Sequence, residues 1–132
     1  DPKTVPDFDF TDWERTYRGL LDQARQANPA LKIVLCTPFA APCGKIVEGA
    51  LGEYYPLRQR ILAQCCVIVE RIAADYGATL VPFHRLIADL ETRLPNGDAT
   101  YWVWDGIHPT PAGQRLMADC WIGAAARNGV ME

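Results

Sequence analysis

Two side chains in this sequence have the types and the spacing for acid–base chemistry: Asp105 and His108, in the run Trp104-Asp105-Gly106-Ile107-His108-Pro109-Thr110-Pro111. A carboxylate three residues ahead of an imidazole can hold one ring nitrogen, fix the tautomer and stabilise the imidazolium, which leaves the other nitrogen to take a proton from a nucleophile. These are the acid and the base of a Ser/His/Asp hydrolytic site. The other histidine, His84, has no carboxylate after it until Asp89, and reads as a partly exposed residue at a helix start. No serine occurs among the 132 residues. A serine hydrolase built on Asp105 and His108 therefore draws its nucleophile from polypeptide outside this sequence.

The elements around the pair can be read from local signals. Pro109 disfavours helical geometry at His108 and so keeps the ring on a constrained loop. Thr110 reads as an N-cap and Pro111 as the first residue of a closing helix that runs to about Asn128, with Leu116, Cys120, Trp121 and Ala124 on one face and Gly129 as its stop. Upstream, residues 1–10 read as an extended lead-in, and Thr11 and Glu14 fit a capping box. The helix behind them carries Trp13, Tyr17, Leu20, Leu21 and Ala24 at helical spacing and ends near Asn28-Pro29, as a cover for a sheet.

Leu31 to Cys36 is an apolar, β-branched run, predicted as a strand buried on both faces. The loop from Thr37 to Gly44 follows it, and loops at the carboxyl ends of strands in open α/β sheets line the ligand crevice. Phe39 in that loop could touch a substrate's acyl group or its packing neighbours. Residues 45–53 read as irregular. A long helix is expected from about Tyr54 to Tyr76, with Leu57, Ile61, Leu62, Cys65, Val69 and Ile72 as its apolar stripe and Gly77 as its stop. A second strand over 78–82 and a helix from Phe83 to Leu94, ended by Pro95-Asn96-Gly97, complete the order. Alternating helices and strands imply an α/β fold with a parallel sheet. Two strands alone leave ladder groups open on both edges, so further sheet is expected.

Composition narrows the function. Apolar residues make up 49% of the chain, enough for one globular domain, and a net charge of −3 with mixed signs offers no basic stripe for nucleic acid. The apolar runs are too short for a membrane span. The five cysteines are odd in number and contain no Cys-x-x-Cys pair, so they match no zinc pattern. Cys36, Cys65, Cys66 and Cys120 lie among apolar neighbours and read as buried free thiols, which favours a reducing compartment, the cytoplasm.

The run from Trp102 to Trp121, with its Asp-x-x-His-Pro segment opening the last helix, closely resembles the final signature block of SGNH hydrolases, the GDSL lipase/esterase family. Leu-Cys-Thr-Pro-Phe followed by Pro-Cys-Gly is similar to the equivalent strand and loop of bacterial members. The resemblance implies a three-layer α/β/α, flavodoxin-like fold with a parallel sheet of about five strands, of which this chain would be the C-terminal part, beginning shortly after the asparagine block. It implies that Asp105 is the orienting acid and His108 the general base; Phe39 and Ile107 are the candidate substrate contacts beside them. It also implies that the serine of the Gly-Asp-Ser block and the oxyanion-hole glycine and asparagine lie upstream, in a missing N-terminal half of the domain. Neither a metal nor an organic cofactor is needed, and the partner molecule would be a small acyl ester.

Two other readings stand beside it. Cys36 or Cys43 could serve His108 as a thiol nucleophile, provided that the thiol pKa is lowered. Alternatively the chain is a degenerate, non-catalytic α/β module that binds a partner chain or small ligand, a reading that the absent serine favours. Acyl and alcohol specificity and oligomeric state have no signature in the sequence.

Overall fold

The computed structural model describes residues 8–94 and 98–131. Residues 1–7 of the expected 1–10 lead-in and the Pro95-Asn96-Gly97 stop lie outside the described residues, and Phe10 already belongs to a helix. The chain divides into two compact units, Asp1–Lys32 and Ile33–Glu132.

The first unit holds helix α1, Phe10–Ala27. Its N-cap is Asp9, whose Oδ1 accepts the Asp12 N–H at 2.9 Å, so the expected cap at Thr11 is displaced by two residues. Aspartate caps at least as well as threonine, and the earlier start lets Phe8, Phe10 and Trp13 cluster, with ring centroids 4.8 and 6.2 Å from Phe8. Glu14, freed from the capping box, accepts from Arg18 at 2.8 Å one turn on. The helix ends at Asn28, as its Asn-Pro sequence predicts.

The second unit is a mixed α/β assembly. Strands β1 (Val34–Cys36) and β2 (Thr79–Val81) run parallel, with Val34 opposite Thr79, Leu35 opposite Leu80 and Cys36 opposite Val81. Both strands are shorter than expected, and each alternates buried and half-buried residues instead of burying both faces fully. Their ladder extends through Thr79 N–H to Ile33 O at 2.9 Å and Thr37 N–H to Val81 O at 3.1 Å.

Helix α3 (Tyr55–Tyr76) connects the strands and packs on both. Cys65, Val69 and Ile72 of the expected stripe are buried, and so are Cys66, Ile68 and Ala73, because a helix lying across two strands is covered over a wider arc than a single stripe. Ile68, Val69 and Ile72 are nearly inaccessible, and burying side chains of this size contributes about 1.5–3 kcal/mol each. Gly77 stops the helix in the left-handed region, φ +58°.

Residues 45–53 are not irregular. A 3-10 turn (Gly44–Val47) and the short helix α2 (Gly49–Glu53) occupy them, elements of about one turn that are too short to leave a period in the sequence. Helix α4 (Phe83–Arg93) follows β2, and α5 (Pro111–Arg127) closes the unit against β2. Thr110 caps α5 through its hydroxyl, which accepts the Gly113 N–H at 3.1 Å, and Pro111 takes the first turn. The face of α5 carrying Leu116, Cys120 and Trp121 is half-buried, with Ala124 fully buried. Among the described residues no helix is long and apolar enough to cross a membrane.

Candidate active site

The Asp105–His108 segment is a tight loop closed at its base. Val103 and Pro109 form an antiparallel bridge, Trp104 N–H donates to His108 O at 3.2 Å, and Thr110 N–H donates to Trp102 O at 2.9 Å. Within the loop Asp105 Oδ1 accepts the backbone N–H groups of Ile107 at 3.0 Å and of His108 at 2.7 Å. This turn is what brings the two side chains together: Asp105 Oδ2 lies 2.6 Å from His108 Nδ1.

The electrostatics assign the proton. Partial desolvation pushes the Asp105 carboxyl up, but the ring and backbone hydrogen bonds from His108, the Ile107 N–H and the imidazole charge outweigh it and hold the group at about 2. An ionised carboxylate only accepts, so Nδ1 carries the proton in this bond, and the lone pair of the neutral ring sits on Nε2. The Asp105 side chain is 13% exposed and that of His108 is 65% exposed. The acid is thus covered and the base faces outward, where Nε2 has no partner among the described residues. Trp104 stacks on the imidazole, with ring centroids 6.0 Å apart and planes 23° from parallel.

The loop after β1 supports this segment from below. Ala41 N–H donates to Gly106 O at 2.8 Å, and Cys43 Sγ donates to Val103 O at 2.9 Å. Gly44, at φ +62°, approaches so closely that a β-carbon would fall 2.6 Å from Asp105 Cα and 2.7 Å from Trp104 O. Beneath lies a cluster of Ala41, Cys43, Ile87, Ala99 and Val103. Sequence reasoning missed this clamp and the Trp104 stack. Glycines at 44 and 106 are its one local signal, since both stand where the chain needs close approach and positive φ.

The sequence profile of the GDSL-like lipase/acylhydrolase family matches residues 4–116, a span that includes both members of the pair. The chain belongs to that family. No curated protein matches it. Among solved structures it is similar to one from Parabacteroides merdae described as a GDSL-like lipase, with 28% identity and a TM-score of 0.71 over 86% of this chain and 48% of that one. The chain spans about half the length of that structure, and over the matched part its mixed α/β architecture with parallel strands is the GDSL-like lipase fold.

This GDSL-family chain separates the remaining candidate residues. Ile107 is 45% exposed, between the acid and the base. Phe39 is half-buried against the cluster beneath the loop and lines a cavity whose described wall includes none of Asp105, Ile107 and His108. His84 begins α4 as expected, but it has partners from distant sequence: its Nδ1 shares a hydrogen bond with the buried Thr37 hydroxyl at 2.8 Å, and Nε2 lies 3.7 Å from Glu70. Burial lowers its pKa, and Glu70 only partly offsets this.

All five cysteines are free. Cys43 is buried along with Cys65 and Cys66, while Cys36 and Cys120 are only half-buried, because the loop after β1 folds under Val103. Burial pushes both Cys36 and Cys43 up, the opposite of what a thiol nucleophile requires.

Proposed function

We propose that this chain carries the acid–base part of a serine esterase that hydrolyses short acyl esters, as the C-terminal part of one SGNH hydrolase domain. A serine and the oxyanion-hole donors would come from polypeptide outside these residues, because the chain contains no serine. The observation that carries the reading is the Asp105–His108 contact at 2.6 Å with the base facing outward.

In the first half-reaction His108 Nε2 takes the proton of the serine hydroxyl as its oxygen bonds to the ester carbonyl carbon, and Asp105 stabilises the imidazolium. Upstream donors hold the oxyanion. Collapse of the tetrahedral adduct breaks the bond to the alcohol, which leaves with the proton from Nε2. Water repeats the sequence on the acyl-enzyme: His108 takes its proton, the acid is released and the serine regains its hydrogen. Ile107, exposed beside the base, contacts the substrate, whereas Phe39 packs against the cluster beneath the loop.

The test is hydrolysis of an aryl acetate by the 132-residue chain and by the same chain joined to the serine-bearing segment. The joined protein is expected to be active and the chain alone inactive. His108→Ala in the joined protein should lower kcat by on the order of 10³-fold or more. Enzyme-like rates from the chain alone, or an active His108→Ala protein, would overturn the assignment. A joined protein that folds and hydrolyses nothing leaves the non-catalytic binding module.

A further inference from the structure

A cavity of about 310 Å³ opens in the Ile33–Glu132 unit among the loop after β1, the first half of α3 and α4. Phe39, Leu62 and Ile87 give it a largely apolar wall, into which Tyr55, Gln59 and Glu91 bring polar groups. A volume of this size holds a small organic molecule.

The polar groups are not equally satisfied. Gln59 Nε2 donates to Ala40 O at 3.1 Å and to the Tyr55 hydroxyl oxygen, which leaves the tyrosine proton available. His84, at the cavity edge, is committed to Thr37, and burial lowers its pKa. Glu91 differs from the other carboxylates around it. On the same helix Asp89 accepts from Arg93 at 3.2 Å, and Glu70 on α3 accepts from Arg85 at 2.6 Å. No hydrogen bond or ion pair reaches the Glu91 side chain among the described residues. Arg58 acts electrostatically on Tyr55 but forms no ion pair with Glu91 among them. Desolvation raises the Glu91 carboxyl, as expected of a half-buried carboxylate beside apolar walls with no cation against it. The cavity therefore combines aromatic and aliphatic walls with one negative charge that nothing in the described structure neutralises. A lone carboxylate is too small a ligand set for a metal ion, a neutral guest would draw no Coulombic attraction from it, and an anion would be repelled.

We propose that this cavity binds a small organic ammonium ion, its apolar body against Phe39 and Leu62 and its N–H groups on Glu91. Aromatic walls suit such a cation, and the charge-assisted hydrogen bond to Glu91 is the specific contact. The site is distinct from the Asp105–His108 pair, neither of which lines it, so it does not depend on the hydrolase reading.

Isothermal titration of the full chain at pH 8 with 2-phenylethylammonium, 2-phenylethanol and 3-phenylpropionate tests it. The ammonium ion should bind at least about tenfold more tightly than the alcohol, and the carboxylate ligand least. Glu91→Gln, nearly isosteric, should erase the preference for the ammonium ion, and Glu91→Asp should retain part of it. Equal affinity for ammonium ion and alcohol, a preference for the anion, a preference that survives Glu91→Gln, or no saturable binding of any ligand would each overturn the proposal. If a Glu91 variant does not fold, the three-ligand comparison on the unaltered chain decides alone.

Discussion

Gly106 packs so tightly against Ile46 that a β-carbon on it would lie 2.1 Å from Ile46 Cγ2. The same atom would fall 2.7 Å from Cys43 O and 2.9 Å from Ala41 O, and Gly106 has φ +93°. The backbone bearing the acid and the base is thus pressed onto the loop after β1, and only glycine permits the approach.

Gly106→Ala should therefore destabilise the chain by roughly 2–4 kcal/mol, because positive φ and collision with two backbone carbonyls add to each other. Urea unfolding measures this. Stability within about 0.5 kcal/mol of the unaltered chain would show that the loop yields easily and is not a rigid support.

Asp105 makes acid stability a reporter of the pair. Its folded carboxyl is held at about 2 against an ordinary value of 3.8, so its contribution is fully present above 3.8 and is lost as pH falls through about 2. Asp105→Asn should lower stability at neutral pH and flatten the pH dependence of unfolding within that acid window. An unchanged acid limb in urea melts taken from pH 5 to pH 2 would mean that the hydrogen bonds do not hold in solution.

The buried thiols of Cys43, Cys65 and Cys66 should be nearly inert in the folded chain. Desolvation, reinforced by Cys65 and Glu70 and only partly opposed by Arg85, pushes Cys66 up to about 11, and burial also raises Cys36, Cys43 and Cys65. At pH 8 a group titrating near 11 is thiolate in on the order of one molecule in a thousand. A colorimetric thiol reagent should show no fast phase from Cys43, Cys65 or Cys66 until denaturant is added. Rapid labelling of Cys43 that depends on His108 would revive the thiol-nucleophile reading.

The parts of this protein that could be read from the sequence are those set by neighbours along the chain. The Asp105–His108 contact spans three residues, and the Thr110 cap, the Pro111 start and the Gly77 stop depend on torsions and hydrogen bonds within one turn. Rules of local geometry suffice there. The same rules misplaced the α1 cap, where Asp9 and Thr11 are both competent and the aromatic contacts of Phe8 decide between them.

Tertiary structure alone decided what supports the pair and what lies beside it. Cys43 reaches Val103 across 60 residues, and Thr37 reaches His84 across 47, because parallel pairing of β1 with β2 carries the loop after β1 to the start of α4 and beneath the Asp105 turn. No local pattern encodes such a meeting. The cavity around Glu91 arises in the same way, from residues on three elements whose spacing in the sequence bears no relation to their distance in space.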